Sequence, residues 1–173
     1  MWRIFNKVIR TGILSEPAPA PEATWMQPEV RAIRQELLHI LGRSLAIRAV
    51  DAGSCNGCEL EIHATHNPYY NLEKWGFQFV ASPRHADLLL VTGPVSRNME
   101  TALRHTYDAM PAPRRVVALG ECACTGGIFG ESYASCGPVS RVIPVDVQVP
   151  GCPPAPLEIL RGIFTAVQYS HGK

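Results

Sequence analysis

The chain has 173 residues, six of them cysteine, and its 16 basic and 15 acidic residues leave a net charge of +1. Six cysteines fall far below the roughly 8–10% of a disulfide scaffold, and a chain of this length buries roughly 70% of its unfolded surface without covalent staples. Near-neutral charge argues against nucleic-acid binding, which needs a basic surplus.

Met1–Leu14 predicts a short amphipathic helix. Ile4, Phe5, Val8 and Ile9 recur at helical spacing, Arg3, Lys7 and Arg10 supply positive charge, and Trp2 adds an interfacial aromatic. A basic helix of this kind docks on an anionic membrane surface or on a partner. Its charges interrupt any long apolar run, so it does not read as a secretory signal. Nothing later approaches the roughly 18 consecutive apolar residues of a membrane span. The default compartment is then the cytoplasm, where thiols stay reduced. Ser15–Thr24 (SEPAPAPEAT) reads as a semi-rigid linker. The expected division is an N-terminal segment over 1–26 and one α/β domain over 27–173.

Gln27–Arg43 predicts a helix with Pro28 near its start, an apolar face of Val30, Ile33, Leu37, Leu38 and Leu41, and Gly42 at its end. Ala46–Asp51 predicts a strand, followed by a Gly/Cys loop. Pro68–Trp75 predicts a short helix, and Gln78–Ala81 and Leu88–Thr92 predict strands. Asn98–Met110 predicts a helix striped by Met99, Leu103 and Tyr107. Arg115–Leu119 is strand-like, Val142–Val149 contains another strand, and Ala155–Gln168 is a helix carrying Leu157, Leu160, Ile163, Phe164 and Val167. Strands alternating with helices predict an α/β fold with a mostly parallel sheet.

The cysteines stand at 55, 58, 122, 124, 136 and 152. Cys55 and Cys58 follow the first predicted strand in AGSCNGCE, Cys122 follows the Arg115–Leu119 strand in LGECACTGG, and Cys152 follows the Val145–Val149 strand in VPGCPP. The C-terminal ends of strands in an open parallel sheet share one edge, where ligand sites collect. Gly53, Gly57, Gly120, Gly126, Gly127 and Gly151 let backbone approach a bulky group there, and Pro150, Pro153 and Pro154 stiffen a loop. Such surroundings suit an iron–sulfur cluster on four thiolates, tuned by amide hydrogen bonds to its sulfurs. A structural zinc site usually uses two close pairs, whereas here one C-x-x-C pair is followed by cysteines 64 and 30 residues further along. A thiol redox pair would leave VPGCPP unexplained, and buried structural cysteines remain a fourth reading. Cys122 competes with Cys124 for the third ligand and Cys152 with Cys136 for the fourth; free cysteine is often plain core.

The run from Ile47 to Ala166 resembles the B-type subunits of NADH:quinone oxidoreductase (complex I). It is similar too to the small subunits of membrane-bound nickel–iron hydrogenases and of formate hydrogenlyase. The carrying motifs are SCNGCE at 54–59, SPRHADLLLVTG at 82–93, GECA at 120–123 and IPVDVQVPGCPP at 143–154. The resemblance implies a flavodoxin-like three-layer domain with one 4Fe–4S cluster on Cys55, Cys58, Cys122 and Cys152, leaving Cys124 and Cys136 outside. The C-x-x-C followed by Glu59 looks like the energy-converting hydrogenase side, since complex I subunits typically carry adjacent cysteines there. The implied role is a one-cluster relay subunit of an oxidoreductase complex, with no catalytic residue of its own. Implied partners are a catalytic large subunit with a nickel–iron centre, a ferredoxin-like iron–sulfur subunit and membrane subunits, at the cytoplasmic face of the cell membrane. The alternative is a complex I-type subunit that passes electrons to quinone.

Several polar residues have competing readings. Glu59 either faces a partner or starts a helix. His63 and His66 titrate near neutral pH and are candidate proton carriers or ordinary interfacial residues. Arg84 and His85 stand in a loop before a strand, and Arg97 matches a basic position in an interface loop of the family. Asp51 and Asp146, near strand ends, read as structural hydrogen-bond acceptors.

Overall fold

A computed structural model describes residues 2–11 and 42–168. The predicted linker and all but the last residues of the predicted 27–43 helix lie outside these. The N-terminal helix, α1, spans Trp2–Thr11.

Five strands form one all-parallel sheet: β1 (Leu45–Asp51), β2 (Phe77–Phe79), β3 (Leu88–Thr92), β5 (Arg115–Leu119) and β7 (Val147–Val149), in the order β2-β1-β3-β5-β7. Counting only these strands, the order is the 2-1-3-4-5 of flavodoxin-like doubly wound sheets, whose switch point lies between the first and third. A separate antiparallel pair joins β4 (Val95–Ser96) to β6 (Ser135–Gly137).

The two faces follow from period-two alternation. Leu45, Ile47, Leu88, Leu90, Val117 and Leu119 pack on one face beneath α2 (Gly57–Ala64) and α5 (Pro156–Gln168). Val50, Leu89, Val91, Val116 and Ala118 pack on the other with Leu103 of α3 (Arg97–Asp108) and Ala123 of α4 (Glu121–Thr125). The uninterrupted runs LLLVT and RVVAL are those of strands covered on both sides, and every residue in them is buried. Each such Leu or Val contributes roughly 1.5–3 kcal/mol relative to exposure.

Two aspartates fix the strand register. Asp87 Oδ2 accepts the Ala46 N–H (3.0 Å) while its own N–H donates to the Ala46 carbonyl (2.7 Å). Asp146 does the same to Val116, at 2.8 and 3.0 Å. Each thus bonds, at the entry to one strand, to the backbone of a neighbouring strand, so Asp146 serves as the expected acceptor. α5 begins with Pro156, and Glu158 Oε2 accepts the Ala155 N–H at 3.0 Å, half of a capping box. Within α5, a Cβ on Gly162 would stand 2.1 Å from Val149 Cγ2, so the helix lies directly on β7.

Three sequence expectations change. The segment after β1 is not all loop, because helix α2 begins inside the C-x-x-C pair. Pro68–Trp75 is a turn followed by a 3-10 helix over Leu72–Trp75 only. β2 is Phe77–Phe79 rather than 78–81. Asn71 supplies the turn signal, accepting the Lys74 N–H, and the Trp75 indole N–H donates to the Tyr70 carbonyl at 2.7 Å.

Candidate metal centre

The site starts where β1 ends. Asp51 Oδ1 accepts the N–H groups of Gly53 (2.8 Å) and Ser54 (2.7 Å), turning the chain at the sheet edge. Ser54 Oγ then donates to Glu59 Oε2 at 2.6 Å and accepts the Asn56 N–H at 3.1 Å. Glu59 Oε1 accepts the hydroxyl of Thr92, the buried last residue of β3. Glu59 thus does both things that a first-turn acid can do. It stands near the positive end of the α2 dipole, and it ties that turn to the ends of β1 and β3. Cys58 rides on the same turn.

The neighbouring loops are knitted in pairs. Ala52 N–H donates to the Thr92 carbonyl and Ser96 N–H to the Ala52 carbonyl. Gly120 N–H donates to Val149 and Glu121 N–H to Gly151, joining the loop after β5 to the loop after β7. A Cβ on Gly93 would sit 2.4 Å from Ser54 N, so only glycine lets the first two loops meet.

These loops enclose one cavity of about 140 Å³, lined by Ser54, Cys55, Gly57, Cys58, Gly93, Glu121, Cys122, Gly151, Cys152 and Pro153. The structure therefore brings Cys55, Cys58, Cys122 and Cys152 together. It separates them from Cys124 and Cys136, which are buried in the apolar cluster of the second sheet face. Cys124 Sγ faces the Ala118 carbonyl at 3.6 Å, and Cys136 Sγ donates to Glu100 Oε2 at 3.3 Å.

Burial pushes the Cys58 thiol up to about 12, helped by the negative charge of Glu59 and of the other three cysteines. Cys122 is raised chiefly by burial, then by Cys152 and Cys55. Burial and mutual repulsion favour the neutral thiols, and all four would stand as thiolates only with a positive charge among them, which a metal would supply. Among the described residues no three His, Cys, Asp or Glu side chains converge closely enough to hold a single metal ion. The cavity has room for a group of several atoms, since one water needs roughly 10–15 Å³. Glycine makes that room: a Cβ on Gly120 would lie 2.6 Å from Cys58 Sγ, and one on Gly127 2.8 Å from Cys122 Sγ. An all-thiol donor set around a polyatomic space fits an iron–sulfur cluster.

The other candidates lie away from this cavity. His63 and His66 are exposed at the far end of α2 and beyond it, with the His66 ring 5.1 Å from Phe79 and Nδ1 3.1 Å from the Ile62 carbonyl. Arg84 and His85 are exposed on a 3-10 turn. Arg97 opens α3 and lies 3.9 Å from Glu131, which also pairs with Arg141. Sequence reasoning singled out Gly57, Gly151 and Pro153 beside the cysteines but passed over Ser54, Gly93 and Glu121 as cavity walls. It also passed over the loop after Cys122, where Ile128 and Tyr133 are 94% and 98% exposed. A glycine directly after a buried strand was the readable signal for Gly93.

Comparison with known proteins gives a consistent set of likenesses. A family model, NADH ubiquinone oxidoreductase, 20 Kd subunit, matches residues 55–166. The chain is 46% identical over 133 residues to a probable membrane-bound hydrogenase subunit, mbhJ, of Pyrococcus furiosus, covering 77% of this chain and 80% of that one. It is 47% identical over 124 residues to a B-type subunit of the NADH-quinone oxidoreductase of Desulfovibrio desulfuricans, covering 71% and 66%. Among solved structures it matches a chain of an archaeal membrane-bound sulfane sulfur reductase, a respiratory membrane complex, with TM-score 0.64 and 31% identity over 79% of this chain and 73% of that one.

Proposed function

This chain belongs to the NADH ubiquinone oxidoreductase 20 Kd subunit family, whose members compared above are subunits of oxidoreductase complexes, and on that premise we propose that it is an electron-relay subunit. Cys55, Cys58, Cys122 and Cys152 would hold one 4Fe–4S cluster. The carrying observation is that thiols from three loops, spread from residue 55 to residue 152, line one glycine-walled cavity.

Such a cluster supplies a one-electron site whose potential depends on hydrogen bonds to its sulfurs, burial and nearby charge. The chain's own residues set those terms. Gly120 and Gly127 keep carbon away from two of the thiols. The Ser54–Glu59–Thr92 bonds hold the turn that carries Cys58 against the strand ends. Glu121, on the cavity wall, opposes electron addition. Cys55 and Cys152 are exposed while Cys58 and Cys122 are half-buried, so one side of the cavity opens outward. A catalytic large subunit covers that side in this reading, and the exposed Ile128, Phe129 and Tyr133 are the apolar surface it would meet. A ferredoxin-like subunit and membrane subunits complete the complex, at the cytoplasmic face of the membrane.

The hydrogenase-type partner is favoured by the C-x-x-C-Glu spacing and by the likeness to the membrane-bound hydrogenase subunit. The likeness to a subunit of an NADH-quinone oxidoreductase supports the second reading, delivery of electrons to quinone. Anaerobic purification of the complex tests both. Four iron and four sulfide per chain are expected, with hydrogen evolution from a reduced low-potential donor. Quinone reduction without hydrogen chemistry selects the second reading. One zinc per chain and no sulfide would sink both. Cys152→Ser is expected to abolish the cluster's electron paramagnetic signal, and Cys136→Ser to leave it intact.

A further inference from the structure

Electron relay at the sheet edge makes no use of α1. This helix, WRIFNKVIRT, carries Trp2, Ile4, Phe5 and Ile9 at 74%, 70%, 58% and 63% exposure. Large apolar side chains on a helix normally face a core. At 3.6 residues per turn, residues 2, 5 and 9 share one side, with residue 4 at its margin. Residues 3, 7 and 10, which are Arg, Lys and Arg, share the other. The Trp2 and Phe5 ring centroids lie 6.1 Å apart, so the apolar side has a continuous aromatic end. No Asp or Glu occurs between Trp2 and Thr11.

We propose that α1 is an in-plane membrane helix, seating Trp2, Phe5 and Ile9 at the headgroup–acyl boundary of an anionic bilayer. Charge complementarity selects that occupant. The rest of the helix carries three cations and no anion, and an anionic lipid surface attracts that charge while its boundary takes the apolar side. Tryptophan at one end of the apolar side suits the wet boundary of a bilayer. Arg3, Lys7 and Arg10 break the apolar sequence within one ten-residue stretch, which a roughly 30 Å hydrocarbon core does not accommodate, so this stretch lies on the membrane rather than through it. None of this depends on the cluster, so a chain stripped of iron binds lipid as well as a loaded one.

The test uses the full chain and vesicles of phosphatidylcholine alone or mixed with phosphatidylglycerol, read by co-sedimentation. Binding to the anionic vesicles is expected, with weak binding to the neutral ones. Each Lys or Arg at an anionic surface is worth roughly fivefold in affinity, so Arg3→Gln, Lys7→Gln and Arg10→Gln together should lower anionic binding about a hundredfold. Phe5→Ser with Ile9→Ser should abolish binding to either vesicle. Iron content and the melting temperature should stay unchanged in both variants, which rules out misfolding. Undiminished binding by either variant overturns the proposal. So does absence of vesicle binding by the wild type, and loss of complex assembly in these variants would then assign the helix face to a protein partner.

Discussion

At position 120 two constraints coincide. Gly120 has φ of +91°, in the region that favours glycine, and its Cβ would press on Cys58 Sγ. Alanine there strains the backbone by roughly 1–3 kcal/mol and pushes a thiol out of the cavity. Gly120→Ala should therefore lower both the melting temperature and the iron bound per chain. Gly130 separates the two effects, because it has φ of +53° with nothing within 4 Å of its Cβ. Gly130→Ala should cost stability yet retain full iron. Next to Gly120, Glu121 tests the electrostatics. Removing a carboxylate from the cavity wall stabilises the reduced cluster by ~1 kcal/mol at partial screening, so Glu121→Gln should raise the midpoint potential by about 50 mV. A redox titration followed by electron paramagnetic resonance reads this. An unchanged midpoint would place Glu121 outside the cluster's field.

At the scale of elements, the contact of α5 with β7 decides how tightly the sheet is covered. Glycine in a helix interior normally costs about 1 kcal/mol against alanine. Here the Cβ of alanine would stand 2.1 Å from Val149 Cγ2, inside van der Waals contact. Gly162→Ala should thus destabilise by roughly 1–3 kcal/mol through overpacking, the opposite of the propensity expectation, as chemical denaturation would measure. The same logic separates what the sequence reveals from what it hides. β3 and β5 were legible to the residue, because the apolar runs Leu88–Val91 and Val116–Leu119, bounded by turn residues, are those of strands covered on both faces. Three cysteine sites at one sheet edge were legible because each follows a predicted strand, but the choice of Cys122 over Cys124 and of Cys152 over Cys136 came only from the family resemblance. α2 was not, because only Ile62 of its residues is buried while Leu60 is exposed, so it has no apolar stripe. β4 and β6 are two and three residues long, too short for alternation to register. The meeting of Ser54 with Gly93 arises from contact between separate loops, which the glycine after β3 permits but no local pattern pairs with Ser54.

For the whole molecule, the fold and the site occupy different places. Two apolar clusters fill the faces of the sheet along its length, while the cavity sits past the C-terminal ends of β1, β5 and β7. The sheet should stand without the cluster. Loss of the proposed cluster would nevertheless remove covalent links between distant loops, Cys58 to Cys122 across 64 residues and Cys122 to Cys152 across 30. Treated as loop closures, links of this span are worth about 3–4.5 kcal/mol each at most. The half-buried thiols left behind protonate and recover part of that. With roughly 2–4 °C per kcal/mol in a chain of this size, removal of iron by an anaerobic chelator should lower the melting temperature by about 10 °C or more. The far-UV circular dichroism should remain that of a folded α/β protein at room temperature. Adding back iron and sulfide should restore the higher transition. Complete unfolding of the iron-free chain would mean that the apolar clusters are insufficient and that metal binding drives folding. No shift at all would mean that the four cysteines do not carry a cluster, and would return the site to the zinc and thiol readings.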